Sequence, residues 1–220
     1  MSQAQQPSYE FDDALPLEPI AAGTNLLVTG SSLAGTRDLA MRLLGCRDSE
    51  GLLLLSTDMR GEDAIENFEA AGWQYDTSRM AVVDCMQDSV DDDGRNIHAV
   101  TAPSDLTGIG IVFSGLYEDL YGAGIERVRT GLCTLDPLLM YTEKVQPLYR
   151  FLHTMTGRIR TADGLGVSVM DPDAQEETTV RTLSQPFDAE IEVREREDGQ
   201  HQLRVRGLDD QPDGWHPFEL

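Results

Sequence analysis

Between Gly51 and Thr57 the chain reads Gly-Leu-Leu-Leu-Leu-Ser-Thr, a run with no polar face. A strand that is apolar on both sides is stable only when both sides are covered, as in a parallel sheet flanked by helices on its two faces. Runs of similar character recur at Thr24–Thr29, Met80–Asp84 and Leu165–Met170, and Leu132-Cys133-Thr134-Leu135-Asp136-Pro137 ends another, with Pro137 as its stop. Between them apolar residues return at helical spacing. Thr36–Leu44 carries Leu39, Ala40, Leu43 and Leu44, and Gly61–Gly72 carries Ile65 and Phe68, with Trp73 just past the closing glycine. Ser104–Tyr121 presents Ile109, Val112, Phe113, Leu116 and Leu120 behind a Ser104 or Asp105 cap, and Gln146–Thr161 presents Leu148, Leu152, Met155 and Ile159. Alternating strands and helices predict an α/β fold with a doubly wound, mainly parallel sheet. Ligands of such sheets bind at the carboxyl ends of the strands.

The two ends of the chain differ from this middle. Residues 1–22 are rich in Gln, Pro and acids and lack a sustained period, which predicts a flexible lead-in to one domain over residues 23–208. Gln87–His98, with Asp91-Asp92-Asp93 and Gly94, reads as an exposed loop. In Ala189–Glu195 and Gln202–Arg206 apolar and charged residues alternate around Asp198-Gly199, which predicts a C-terminal antiparallel hairpin with one wet face. On that face Glu190 and Glu192 are placed to oppose Arg204 and Arg206. The acidic tail, residues 209–220, holds Trp215 and Phe218, which suit either packing back on the body or docking to a partner.

Charge narrows the function classes. The 220 residues hold 39 acids against 17 lysines and arginines, a formal charge of −22, and Lys144 is the only lysine. Acids spread along the whole chain, with arginine in place of lysine, suit a surface adapted to molar salt, where the screening length falls to about 3 Å and self-repulsion is tolerable. No basic stripe exists to displace counterions, so strong direct binding of nucleic acid is excluded and a DNA role would run through a partner or a small local patch. No apolar stretch approaches a membrane span and the N-terminus lacks a signal-peptide pattern, so the expected location is the cytoplasm, without a membrane partner. Cys46, Cys85 and Cys133 lack Cys-x-x-Cys spacing and lie in or beside apolar runs, which predicts buried thiols. His98, His153, His201 and His216 show no ligand or triad spacing.

The chemistry-bearing motif follows the first predicted strand. Gly30-Ser31-Ser32-Leu33-Ala34-Gly35-Thr36-Arg37 keeps the glycine spacing of the phosphate-binding pattern G-x-x-x-x-G-K-[ST], between a buried strand and a helix. Thr36 stands in place of the lysine that reaches the β- and γ-phosphates, and Arg37 in place of the hydroxyl that holds Mg²⁺. These eight residues are the candidate nucleotide-binding set. Arg37 is open to two readings, a solvated helix residue or a replacement phosphate ligand.

With the segment Gly51–Trp73, GLLLLSTDMRGEDAIENFEAAGW, the chain resembles the RecA-like P-loop ATPases, within them the KaiC and RadA branch common in archaea. The resemblance covers about Gly23–Leu208. In that family two acids follow the second strand and one activates the attacking water; here Thr57 and Asp58 stand there, so Asp58 is the candidate catalytic acid. Leu132–Asp136 is similar to the family's Walker B strand, which makes Asp136 the candidate Mg²⁺ residue. Asp58 also suits a helix cap or surface acid, and Asp136, before a proline, a turn acid. The resemblance implies ATP and Mg²⁺ as cofactors, here weakly held or lost, and nucleotide sites between subunits, hence self-association or pairing with an intact RecA-like paralogue. Loss of the lysine, the hydroxyl and one acid removes several kcal/mol of transition-state stabilisation, on the scale of about 2.7–4 kcal/mol for one oxyanion donor. The expected function is a regulatory or assembly protein with little or no ATP hydrolysis. The alternatives are an active ATPase in recombination, repair or signalling, and a structural partner-binding domain.

Overall fold

Each apolar run forms a strand, and the sheet they build has two dry faces. The computed structural model describes residues 7–47, 49–87, 94–142 and 144–219. In chain order the elements are β1 (Ser8–Tyr9), β2 (Ile20–Ala21), β3 (Asn25–Thr29), α1 (Thr36–Leu43), β4 (Glu50–Ser56), α2 (Gly61–Ala70), β5 (Met80–Asp84) and β6 (Ile97–Ala99). They continue with α3 (Leu106–Gly122), β7 (Arg127–Leu132), α4 (Asp136–Tyr141), α5 (Val145–Thr161), β8 (Leu165–Met170), α6 (Glu177–Ser184), β9 (Ala189–Glu195), β10 (His201–Arg206) and β11 (His216–Phe218). The large sheet has the order β11-β10-β9-β3-β8-β7-β4-β5-β6, parallel from β9 to β6 and antiparallel over β9, β10 and β11.

The four leucines of β4 show why the run has no polar face. Leu52 and Leu54 join a core with α1 and α2, Leu53 and Leu55 a second core with α3 and α5, and all four are fully buried. Each contributes about 1.5–3 kcal/mol by leaving water. The chain leaves β3 for β4, skipping two positions that β8 and β7 fill later, and β9 then takes the other side of β3. The order therefore reverses at β3, and the crevice beside its carboxyl end is where such sheets bind ligands.

Several expectations are corrected. Pro137 does not stop a strand: β7 already ends at Leu132, and Pro137 lies in the first turn of α4, where a missing N–H costs nothing and its fixed φ suits the helix. Part of Gln87–His98 is a strand rather than loop, because β6 extends the sheet edge beside β5; residues 88–93, with Asp91-Asp92-Asp93, lie outside the described residues. Helix α6 was not expected. Asp105, not Ser104, caps α3, accepting from the Gly108 N–H at 2.8 Å.

The described part of the lead-in is packed onto the body. Tyr9, Leu15 and Ile20 are buried, and the Tyr9 hydroxyl donates to the Asp163 carbonyl at 2.9 Å. Beneath it the fully buried Arg129 pairs with Glu50 at 2.8 Å and donates to the carbonyls of Leu43 at 2.7 Å and Glu10 at 2.8 Å. Arg127 stacks over the Tyr9 ring at 4.4 Å and reaches Glu50 at 3.2 Å. Burial raises the Tyr9 phenol to about 12, with Arg127 pulling against it. A buried carboxylate needs such partners, and the lead-in's ordering follows from supplying a carbonyl and a ring to them.

The tail also packs back. Phe218 is buried in β11, and the Trp215 ring lies under the guanidinium groups of Arg194 at 4.0 Å and Arg204 at 4.6 Å. The hairpin has the expected register, Arg204 opposite Glu192 and Arg206 opposite Glu190. Its ion pairs differ: Glu192 takes both arginines, and Glu190 accepts instead from the Thr29 hydroxyl at 2.6 Å. Among the described residues no helix is long and apolar enough to cross a membrane.

Candidate functional site

The glycine loop follows β3 and turns sharply into α1. Gly30 has φ +153, and a Cβ there would sit 2.5 Å from the Val193 carbonyl oxygen and 2.9 Å from the Thr36 side chain, so only glycine lets the loop pass between β9 and α1. A single 3₁₀ turn spans Ser32–Ala34, and Gly35 in the left-handed region at φ +80 redirects the chain into α1. Gly35 occupies the cap position and no side chain caps the helix. The N–H groups of its first turn therefore keep their attraction for an anion.

A cleft of about 600 Å³ lies beside this turn, lined by Gly30, Thr36 and Arg37 from the loop, Asp58 after β4, Thr134 after β7 and Asp136 at the start of α4. The fold thus gathers residues 30, 36, 37, 58 and 136 of the sequence-predicted set. Ser31, Leu33 and Ala34 line a second cleft of about 560 Å³ across the loop, together with Glu190, Glu192 and Trp215. Leu33 is 84% exposed and Thr36 is buried.

Three charged side chains of the first cleft, Arg37, Asp58 and Asp136, are engaged with the protein itself. Arg37 forms an ion pair with Asp58, so the residue in the hydroxyl's place holds the residue in the catalytic acid's place. Burial raises the Asp58 carboxyl above its ordinary range; Arg37 pulls it down and Asp136 pushes it further up. The other Asp58 oxygen, Oδ1, is buried with no partner among the described residues. Asp136 accepts from the Thr134 hydroxyl at 2.8 Å, the Asp171 N–H at 3.2 Å and the Gln175 amide at 3.3 Å. Its carboxylate ties the start of α4 to the end of β8. Thr57, in the place of the family's first acid, donates to the Thr134 carbonyl at 2.6 Å and bridges the ends of β4 and β7.

The charged groups lining the cleft are one guanidinium, Arg37, and four carboxylates, Asp38, Asp58, Asp136 and Asp171, a set that suits a bare triphosphate poorly but holds oxygen ligands of the kind Mg²⁺ takes. An anion at the uncapped α1 N-terminus would compete with Asp58 for Arg37. The donors that hold Asp136, Thr134, Asp171 and Gln175, go beyond the sequence reading; a polar residue two before Asp136 is the local signal for Thr134, and nothing local points to Gln175. Burial pushes the thiols of Cys46, Cys85 and Cys133 up to about 12, so all three are protonated near neutral pH.

The fold has a solved counterpart. A KaiC-like protein from the hyperthermophilic archaeon Pyrococcus horikoshii superposes with a TM-score of 0.68 over 97% of this chain and 96% of its own, at 14% identity. A likeness at that identity is one of fold: the chain shares the RecA-like sheet architecture of that KaiC-like protein. No curated protein sequence matches. A family model described as "Family of unknown function (DUF7504)" matches residues 23–193, from just before β3 to within β9, and the chain belongs to that family.

Proposed function

We propose that this protein is a KaiC-like or RadA-like regulatory or assembly module of a salt-adapted archaeal cytoplasm, whose nucleotide site has lost ATP hydrolysis and most of its affinity. The observation that carries this reading is the Arg37–Asp58 ion pair. In the fold's working members the corresponding cleft must present free positive charge to phosphate and a free acid to water, whereas here the two cancel each other. The surplus of carboxylates around them, and the engagement of Asp136 by three protein donors, support the same conclusion. The excess of acids over lysine and arginine, 39 against 17, supports the salt-adapted setting. Such a module acts by association, with itself or with an intact paralogue.

The deciding experiment is a calorimetric titration of Mg-ATP into the purified protein in KCl of about 2 M, where surface charge is screened, followed by a phosphate-release assay. The expected result is negligible turnover and binding no tighter than about millimolar. Hydrolysis at an ordinary enzymatic rate that Asp136→Asn abolishes would overturn the proposal in favour of an active ATPase.

A further inference from the structure

Helix α3 exposes two large apolar side chains among the polar Thr107, Glu118 and Asp119 of its outer side: Ile111 is 68% exposed and Tyr121 47% exposed, where a solvent-facing side is normally polar. Beside it, two cavities of about 750 and 710 Å³ share Ser114, Glu118, Thr154 and Arg158, forming one continuous groove between α3 and α5. On α3 the groove runs from Leu106 to Tyr121, about 22 Å at 1.5 Å per residue, the length of a four-turn helix. Its helices contain glycines that the fold does not require: a Cβ at Gly110, Gly115 or Gly157 would meet nothing within 4 Å. Glycine in a helix interior is destabilising, so three such positions without an intramolecular contact are accounted for by the close approach of another helix.

The charges of the groove select the occupant. Arg150 and Arg158 line it from α5, and neither forms an ion pair among the described residues; Arg158 bonds only to the Ser114 hydroxyl. Glu118 lines it from α3 and is likewise without an ion pair among the described residues. An acidic helix would satisfy the two arginines and repel Glu118, and a basic helix would do the reverse. A second copy related by a two-fold axis satisfies both, because Glu118 of each copy meets the arginines of the other. On a chain of formal charge −22, this groove is also a place where basic side chains outnumber acidic ones, so two copies meeting here do not bring two acidic surfaces together.

We propose that two copies of this chain pair through the α3–α5 groove, α3 of each copy lying in the groove of the other. The surface is separate from the glycine loop, and pairing is indifferent to nucleotide.

Sedimentation velocity and light scattering across a protein dilution series in KCl of about 2 M test this. The expected mass is twice 24.3 kDa. Ile111→Glu, at an exposed position, weakens pairing by about tenfold or more. Gly115→Leu blocks it while leaving the melting temperature of the monomer equal or higher, since a Cβ at this exposed position meets nothing within 4 Å and leucine favours the helix. That opposite sign separates a lost interface from a lost fold. Arg150→Glu with Arg158→Glu weakens the dimer, and adding Glu118→Arg restores it. A wild-type monomer at every concentration overturns the proposal, as does an oligomer indifferent to these variants, or a charge swap that fails to restore pairing.

Discussion

Replacing Asp58 by Asn tests whether the glycine loop retains the geometry to hold phosphate. Asn keeps the shape and can still accept from Arg37, but it removes the charge that holds the guanidinium. Two unit charges about 4 Å apart interact by about 4 kcal/mol at an effective dielectric of 20 and about 1 kcal/mol in bulk water. The Arg37 side chain is 43% exposed and that of Asp58 20% exposed, so the value at this site lies toward the lower end, about 1–2 kcal/mol in moderate salt. Releasing that attraction to an incoming anion, and taking one carboxylate from the cleft, corresponds to roughly 5- to 30-fold tighter binding. The assay is calorimetric titration of pyrophosphate into wild type, Asp58→Asn, and Asp58→Asn with Arg37→Gln. Only the single variant should gain affinity. Stability should change little, because the attraction is largely offset by the cost of burying the Asp58 charge, and the net contribution of a partly exposed ion pair is about 0–1 kcal/mol. Equal affinity in wild type and Asp58→Asn, or a gain that survives loss of Arg37, would refute the competition argument.

Three further outcomes are expected. The melting temperature should rise as KCl goes from about 0.1 to about 3 M, because screening relieves the repulsion of a formal charge of −22; a flat or falling curve removes the salt-adaptation reading. Arg129→Met should destabilise by about 3–5 kcal/mol, a fall of roughly 6–20 °C in melting temperature, because Glu50 stays buried with only the more distant Arg127 as ionic partner; a fall under about 2 °C would show that Arg127 suffices. Folding raises the Asp58 carboxyl above its ordinary value of 3.8, so only between that value and the raised one does the native state hold a proton that the unfolded chain has released. Its contribution to stability is therefore present at acid pH and lost as pH rises from about 3.8 through the raised value, and the difference in stability between wild type and Asp58→Asn should shift against wild type across that window.

What could be read from the chain alone was local. The four consecutive leucines before Ser56, the helical spacing in Gln146–Thr161 and the alternation in Ala189–Glu195 each state their secondary structure and which sides are dry, because the period of apolar residues is the period of the backbone. The same logic placed the glycine loop between strand and helix. The tertiary structure decided how those pieces meet. Arg37 and Asp58 lie 21 residues apart, on segments joined only when α1 and β4 cross the sheet, and in sequence each resembles an ordinary surface charge. Arg129 carries no mark that separates it from the exposed arginines, and its burial depends on Glu50, two carbonyls and the ring of Tyr9 arriving from three distant segments. The packing of the lead-in and of the tail is illegible in sequence for the same reason: neither has a period of its own, and the described part of each packs on groups the rest of the fold presents to it. Periodicity records which residues leave water, but the choice of partner for a buried charge is made through space, by strand order and crossovers that no local window of sequence contains.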